Sequence, residues 1–365
     1  MVVAPGRINL IGEHTDYNDG FVFPVAIDRY VVAALRPTLG PSRLVSFQAG
    51  VGHSFQVEEV APGKVEDWTK YPAGMAWILT QSTGKALPNL EGVVVSNLPM
   101  GSGVSSSAAI EMAFGVAWNE LAGLGISNKE LALLAQKCEN KFVGVNCGIM
   151  DQMASAMGRQ DSAMFLDTRT LDIEYSPIRA DWSIVLCDTR KPRALSDSAY
   201  NERRTQCEEA ASTFGVTALR DATVEDLEAY AGRMSETSWR RARHVVTENA
   251  RCIEFREALR TGNRSEVFEL MKASHISLRD DYEVSCPELD EMAEACWSAP
   301  GCIGARMTGA GFGGACVALI SANLEREFCV QVEERYRKRV GSEGQLMVCK
   351  AVQGAHVVVG DSESG

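Results

Sequence analysis

The chain has 365 residues, of which 48 are acidic and 36 basic, for a formal net charge of −12. A balance this acidic argues against a surface for nucleic acid or anionic membrane, although it allows a local basic site for phosphate. No apolar run reaches the roughly 18 residues that a membrane-spanning helix needs, and the N-terminus lacks the charged and apolar regions of a secretory signal. The 11 cysteines include no Cys-x-x-Cys pair, so we expect reduced thiols in a cytosolic protein of two domains.

The pattern of apolar residues predicts strands early in the chain, helices in the middle and a mixture at the end. Strands are predicted at 21–27, 31–35, 93–96 and 184–187, and helices across 105–157 and at 198–214, 238–260 and 266–278. The chain then reads strand 305–307, glycine loop 308–314, strand 316–320, helix 324–339 and strand 346–352. Such mixing indicates an α+β or α/β protein, with a domain boundary near residue 180. The small acidic tail, 360–365, is predicted to be disordered.

A polar loop lies between two apolar runs at the start of the chain, within residues 6–20. It holds Arg7, Glu13, His14 and Asp16. Their side chains donate or accept hydrogen bonds in fixed directions, as the hydroxyl groups of a polyol require. A solvated surface turn is the plain alternative. The apolar residues inside the polar cluster favour a partly buried, ligand-binding loop.

A second loop, residues 98–109, follows a predicted strand and opens a predicted helix. Glycines allow a backbone to approach a ligand closely, and the first amides of a helix face an anion, so the loop suits a phosphate group. It is neither a Walker A loop nor a dinucleotide fingerprint, because the Gly-Lys-Ser/Thr ending and the third glycine are absent. The alternative is a serine-capped helix after a glycine turn.

Three further polar residues stand in apolar or helical surroundings. Glu139 lies at the edge of the apolar stripe of a helix that starts with a capping box at 127–130. It is either a surface charge, which the pattern alone favours, or a partly buried ligand. Asp151, near a predicted helix start, is either an acid favoured by the helix dipole or a general base in an apolar pocket. Tyr200 is either a core tyrosine or a ligand contact.

Together these segments resemble the galactokinase family of GHMP small-molecule kinases, with all three family motifs in order. Residues 6–20 resemble the sugar signature, 98–109 the phosphate loop, 146–158 the segment that carries the catalytic aspartate, and 308–314 the third glycine motif. The resemblance implies a two-domain α+β GHMP-kinase fold. It implies an N-terminal ribosomal-S5-domain-2-like α/β domain over 1–180, a C-terminal ferredoxin-like α+β domain over 181–359, and an active site between them.

The resemblance also implies a role for each candidate residue. Asp151 and Arg7 are the expected catalytic pair, and Ser107 and Glu139 the expected Mg²⁺ ligands. The expected sugar-binding residues are Glu13, His14, Asp16, Gly148 and Tyr200. The expected ATP-binding residues are Gly101, Ser102, Gly103, Val104, Ser105, Ser106, Ser107 and Trp68. A basic patch of Arg190, Lys191 and Arg193 is expected to assist the phosphate.

The activity implied by the resemblance is that of an ATP-dependent sugar 1-kinase. It would transfer the γ-phosphoryl group of MgATP to the C1 hydroxyl of α-D-galactose, in a cytoplasmic monomer. The intact run at 106–109 favours catalysis. Three alternatives stay open: a related GHMP kinase for N-acetylgalactosamine, arabinose or a uronic acid; a non-catalytic sensor of galactose and ATP; and an inactive form lacking the segment that usually precedes the signature.

Overall fold

The computed structural model describes residues 1–99, 101–192 and 196–358, and helices and strands alternate along them. The strands are β1 (Val2–Asn9), β2 (Phe21–Val22), β3 (Pro24–Thr38), β4 (Arg43–Ser46), β5 (Gly50–Val51), β6 (Asn89–Ser96), β7 (Ser162–Asp167), β8 (Ile173–Pro177), β9 (Trp182–Lys191), β10 (Cys302–Thr308), β11 (Gly314–Ser321), β12 (Gln345–Cys349) and β13 (His356–Val357). The helices are α1 (Lys70–Thr83), α2 (Ser106–Leu121), α3 (Asn128–Cys138), α4 (Met150–Met157), α5 (Ser196–Phe214), α6 (Val224–Ala229), α7 (Glu236–Thr261), α8 (Arg264–Asp280), α9 (Pro287–Trp297) and α10 (Glu325–Val340). Arg193 and the tail 360–365 lie outside the described residues.

A six-stranded sheet in the order β13-β1-β3-β6-β4-β5 organises the first half of the chain. Helix α2 packs against both β1 and β3. It is the central helix of this half, since 10 of its 16 residues are buried, and a helix that is apolar all round belongs in a core. The Arg7 amide, near the end of β1, donates to the Val104 carbonyl at 3.1 Å. The start of α2 is thereby held beside the end of β1.

A four-stranded antiparallel sheet in the order β10-β11-β9-β12 organises the second half. All eight residues of β11 are buried, because β11 is a central strand of this sheet, and α8 and α9 pack against β10. The short connection between β10 and β11 is the third glycine loop. A separate three-stranded sheet, β2-β7-β8, follows the signature loop.

The chain passes from the first half to the second between β8, which ends at Pro177, and β9, which begins at Trp182. The segment after β12 leaves the second half, because β13 pairs with β1 and places Val357 opposite Val2. β13 thereby covers the outer edge of β1, whose backbone groups would otherwise lack partners. We therefore propose a division near residue 180, with the chain beyond β12 returning to the first half.

Several elements differ from the predicted ones. The strands predicted at 21–27 and 31–35 are the short β2 and one long strand, β3. Helix α1 was not predicted, because Pro72 and Gly74 weaken its pattern; Pro72 lies in the first turn, where a missing amide costs little. The capping box of Ser127 and Glu130 starts α3 as predicted. Along the described ranges, none of the helices combines the length and apolarity that crossing a bilayer would require.

Candidate active site

A cavity of about 280 Å³ opens where the loop after β1, the starts of α2 and α4, and the third glycine loop meet. The predicted site residues that line it are Arg7, Glu13, His14, Asp16, Gly101, Gly103, Val104, Ser105, Ser106, Ser107, Glu139, Gly148, Asp151 and Tyr200. Gly309 and Ala310 close it from the second half. Two predicted ATP contacts, Ser102 and Trp68, do not line it.

The carboxylate of Asp151, in the first turn of α4, is held from two sides. Arg7 Nε and Nη2 each lie 2.8 Å from Oδ1, and Ser105 Oγ donates to Oδ2 at 2.5 Å. The Arg7 Nη1 donates to the Gly103 carbonyl at 2.6 Å. Arg7 is buried, but 32% of the Asp151 side chain remains exposed. The pair therefore joins the glycine loop to a carboxylate that a ligand can still reach.

The glycine loop before α2 has backbone conformations that favour glycine. Gly101 and Gly103 have φ of 78°, and Ser105 has φ of 60°. A left-handed conformation costs a residue with a Cβ about 1–2 kcal/mol, and for Ser105 the bond to Asp151 offsets part of this cost. Ser102 points away from the cavity, because its buried hydroxyl donates to Asp188 of β9 at 2.5 Å. Ser102 thus fastens the loop to the second sheet.

Glu13 connects the two halves of the molecule beside the cavity. Its Oε1 accepts hydrogen bonds from the Gly309 amide at 2.7 Å and from Thr308 Oγ1 at 3.3 Å. The fully buried guanidinium of Arg306 lies 3.4 Å from the same oxygen. One carboxylate oxygen of Glu13 is therefore used by the third glycine loop, and Oε2 is the atom left for a ligand.

Asp16 packs directly on the backbone of Gly148. A Cβ at position 148 would lie 2.0 Å from Asp16 Oδ2, so this close approach requires glycine. The same oxygen accepts a hydrogen bond from the Met150 amide at 3.2 Å. Burial, and second the neighbouring Asp151 carboxylate, raise the pKa of Asp16 to about 7. Asp16 can therefore change its charge near neutral pH.

His14 and Tyr200 form one wall of the cavity, with ring centroids 5.5 Å apart. Both ring nitrogens of His14 already contact protein: Nδ1 lies 2.8 Å from Tyr17 Oη and Nε2 lies 3.1 Å from the Ala310 carbonyl. The family resemblance implies that His14 binds the sugar. The structure gives its ring other partners.

Ser107 and Glu139, the predicted metal ligands, both line the cavity. Glu139 is 6% exposed, so the surface position that the pattern alone favours is wrong. At this residue α3 continues into a π-helical turn, Glu139–Val143, a feature that is frequent at functional sites. Within the described ranges, no three His, Cys, Asp or Glu side chains cluster as a metal site. A cation here would therefore need phosphate and water oxygens as well, which is the donor set that Mg²⁺ takes with nucleotides.

A buried acid lies behind Glu139. Glu111 of α2 is fully buried, and its Oε1 has no hydrogen-bond partner among the described residues. Burial, followed by the Glu139 carboxylate, raises the pKa of Glu111 well above its usual range. Its other oxygen, Oε2, accepts a hydrogen bond from Gln152 Nε2 at 3.4 Å. A cation at this end of the cavity would offset the repulsion between the two neighbouring carboxyl groups of Glu111 and Glu139.

Residues that support the loop after β1 were missed, because their surroundings resemble solvated helix faces. Glu248 of α7 is fully buried and accepts hydrogen bonds from the Gly12 amide at 2.9 Å and Ser274 Oγ at 2.5 Å. His244, one turn earlier, donates through Nε2 to the Glu13 carbonyl at 3.0 Å. Residues four apart share a helix face, and this spacing is the signal that could have paired them.

The other predicted contacts lie apart from the cavity. Arg190 donates to Gln345 and Lys191 pairs with Glu288, so these two basic groups are engaged elsewhere. Trp68 packs against the core of the first half. Its role beside the adenine stays a prediction.

Comparison with known proteins first identifies a class. Family models of the GHMP kinases N terminal domain and the GHMP kinases C terminal match residues 70–159 and 255–338. A mevalonate kinase shares the fold, with a TM-score of 0.66 at 17% identity over 97% of this chain and 99% of that chain. These matches confirm the predicted two-domain α+β fold of GHMP kinases.

Closer relatives narrow the class. The model of the galactokinase galactose-binding signature matches residues 1–37. Galactokinases of Roseiflexus sp. (strain RS-1) and Bacillus subtilis (strain 168) are 41% and 40% identical, over 97% and 98% of this chain and 92% and 94% of theirs. The crystal structure of Lactococcus lactis galactokinase complexed with galactose has a TM-score of 0.93 at 38% identity, covering 98% of this chain and 94% of that chain. The chain therefore belongs to the galactokinase family of GHMP kinases.

Proposed function

We propose that this protein transfers the γ-phosphoryl group of MgATP to the C1 hydroxyl of α-D-galactose, giving galactose 1-phosphate and ADP. The observation that carries the proposal is the Asp151 carboxylate, bound in one cavity to both Arg7 and the glycine loop. A proton acceptor and a phosphate-binding loop meet there. Phosphoryl transfer depends mainly on positioning and charge stabilisation, and this arrangement supplies both.

The chemical step uses two residues of the chain. Asp151 accepts the proton of the C1 hydroxyl as that oxygen forms its bond to the γ-phosphorus, and the bond to the bridging oxygen breaks to release ADP. Arg7 lies between Asp151 and the Gly103 carbonyl. Its guanidinium stabilises the negative charge on the transferring group.

The sugar lies on the signature side of the cavity. Glu13 Oε2 and the Asp16 carboxylate accept hydrogen bonds from sugar hydroxyls, and Tyr200 contributes its wall. Gly148 brings the backbone close to the ring. This assignment is supported by the position of all four residues around one cavity.

The nucleotide lies at the glycine loop. Residues 101–107 precede and begin α2. The first amides of a helix lack intrahelical partners, so the N-terminus of α2 offers hydrogen-bond donors to the phosphates. Ser107 and Glu139 would hold Mg²⁺, which neutralises charge on the β- and γ-phosphates when bound. We further propose a cytoplasmic monomer; its 11 free thiols, seven of them buried, suit a reducing compartment.

The function is tested by ADP release with MgATP and a panel of sugars. We expect turnover with galactose and none with glucose or with mevalonate. Preferential turnover of N-acetylgalactosamine, arabinose or a uronic acid would reassign the substrate within the GHMP kinases. A cooperatively melting protein that binds galactose and ATP in calorimetry but forms no ADP would be a sensor.

Gly148→Ala is expected to raise the KM for galactose at least about tenfold, the cost of losing one hydrogen bond to a charged group. The new Cβ would lie 2.0 Å from Asp16 Oδ2 and displace that carboxylate. The KM for ATP should stay unchanged. Gly40→Ala is the matched control, because its Cβ would meet only Thr38 Oγ1 at 3.9 Å. An unchanged galactose KM in the Gly148 variant would contradict the placement of the sugar.

Galactose affinity is expected to weaken as the pH falls below about 7, where Asp16 takes up a proton. A sugar hydroxyl donates to the ionised carboxylate, so the Kd should rise toward about tenfold per pH unit below that pKa. The raised pKa also means that the ionised form destabilises the ligand-free protein above pH 7. Asp16→Asn should therefore raise the Tm at pH 8 more than at pH 4, while it weakens galactose binding. A calorimetric Kd that is flat between pH 8 and 5.5 would disprove this role of Asp16.

A further inference from the structure

A chain of hydrogen bonds passes through the imidazole of His14 and ends at the Ala310 carbonyl. Cys207 Sγ lies 3.1 Å from Tyr282 Oη, which lies 2.6 Å from Tyr17 Oη. Tyr17 Oη lies 2.8 Å from His14 Nδ1, and His14 Nε2 lies 3.1 Å from the Ala310 carbonyl. The chain connects α5, the segment after α8, the signature loop and the third glycine loop.

The Ala310 carbonyl sets the direction of every bond in this chain. A carbonyl only accepts, so His14 Nε2 carries the proton that it donates. Burial, with His244 as the second cause, lowers the pKa of His14 to about 3, so the ring is neutral and Nδ1 must accept. Tyr17 then donates to Nδ1 and accepts from Tyr282, whose oxygen in turn accepts from the Cys207 thiol.

The ring of His14 has no nitrogen left for a ligand in this arrangement. The imidazole lines the cavity with the face of its ring, which packs within an aromatic cluster. The ring centroids of His14 and Tyr282 are 4.8 Å apart, and the ring centroids of Tyr17 and Tyr200 are 5.1 Å apart. Tyr200 lines the cavity beside His14, so a shift of the imidazole would also move the wall.

We propose that His14 is a positioning residue that joins the signature loop to the third glycine loop instead of hydrogen-bonding the sugar. The Ala310 carbonyl fixes its neutral Nε2–H tautomer, and the hydrogen bonds from Tyr17, Tyr282 and Cys207 hold the ring in place. The inference rests on the proposed function only for its kinetic readout. It makes the shape of the galactose pocket depend on a contact between the two halves of the chain. Glu13 makes another such contact, through Gly309.

Two substitutions at position 14 separate the roles of the imidazole. Glutamine offers one acceptor and one donor, so His14→Gln can still accept from Tyr17 and donate to Ala310. Leucine offers neither. We expect His14→Leu to raise the galactose KM about tenfold or more, and His14→Gln to change it less than about threefold, with the ATP KM constant in both. Equal losses in the two variants, or none in His14→Leu, would overturn the proposal.

Substitutions along this chain of hydrogen bonds should raise the galactose KM less, the farther they lie from the imidazole. Tyr17→Phe removes the donor to Nδ1 and should raise the galactose KM most. Tyr282→Phe and Cys207→Ala leave that donor in place, so the galactose KM should rise less in Tyr282→Phe and least in Cys207→Ala. An equal or reversed order would show that the aromatic cluster acts by packing alone.

A spectroscopic test does not depend on turnover. The chain has five histidines, so selective ¹⁵N labelling gives a small set of ring signals, and His14→Gln identifies that of His14. We expect the neutral Nε2–H tautomer, unchanged between pH 8 and 5 and unchanged on adding galactose. The same tautomer is expected in Tyr17→Phe, because the Ala310 carbonyl still requires the proton on Nε2. The Nδ1–H tautomer, or a ring signal that galactose shifts as a new hydrogen bond would, refutes the inference. An inactive protein with the expected tautomer would refute the proposed function and leave the inference standing.

Discussion

Asp151→Asn is expected to lower kcat by about 10²- to 10⁴-fold, the usual contribution of a positioned general base. Asparagine has the same shape, and its amide oxygen can still accept from Arg7. Its NH₂ group would face Ser105, whose hydroxyl can turn and accept. The fold and galactose binding should therefore persist, while the proton of the C1 hydroxyl has no acceptor.

Three measurements check this expectation: kcat from ADP release, the galactose Kd from calorimetry, and the Tm. Asp181→Asn is the matched control, because Asp181, like Asp151, pairs with arginine (Arg179 and Arg264), but is 53% exposed and remote from the cavity. The control should keep its full kcat. A kcat within tenfold of wild type in Asp151→Asn would exclude Asp151 as the base. Loss of the cooperative melt would mean that its carboxylate is needed for the fold.

Glu248→Gln is expected to lower the free energy of unfolding by about 3–5 kcal/mol at neutral pH, the usual cost of removing one partner of a buried ion pair. Glu248 is fully buried and accepts from Arg251 Nε at 2.7 Å. Without its charge, Arg251 loses its ion-pair partner, and the neighbouring buried Arg306 keeps only Glu13 as a counter-charge. The Gly12 amide also loses an acceptor, so the signature loop should loosen and the galactose KM should rise.

The same carboxylate predicts a pH dependence. Burial opposes ionisation of Glu248, but nearby positive groups, Arg251 first, outweigh it and lower the pKa from 4.5 to about 2. Between these values the folded protein binds fewer protons than the unfolded chain. The stabilisation is therefore complete above pH 4.5 and is lost as the pH falls through 2, by about 3 kcal/mol.

Urea unfolding of wild type and Glu248→Gln at several pH values between 7 and 2 isolates this difference, which should shrink as the pH falls. The control is Glu257→Gln, on the same helix, whose carboxylate pairs with Arg260 at an exposed position. Its midpoint should not change measurably. Equal midpoints for wild type and Glu248→Gln at pH 7 would show that the buried network does not stabilise the fold.

Long-range partners explain most of what sequence reasoning missed. Arg7 and Asp151 are 144 positions apart, and Ser102 and Asp188 are 86 apart. No local pattern states that such residues touch, since a hydrogen bond between distant segments depends on how sheets and helices pack. For the same reason the sequence did not identify Glu248 and Arg306. They look like ordinary charges of a helix and a strand, and only the fold buries them beside their partners, Arg251 and Glu13.

The sequence by itself determined the chemistry of the loops, because their requirements are local. The polar signature, the glycine loop and the capping box of α3 each lie within about a dozen residues, and backbone conformation and short-range hydrogen bonds encode them. The tertiary structure alone decided which groups remain available to a ligand. Folding occupies both nitrogens of His14, one oxygen of Glu13 and the hydroxyl of Ser102 with protein partners, since buried polar atoms must be paired. A residue type shows which bonds a side chain can make, and only the packing shows which of those bonds the protein has already used.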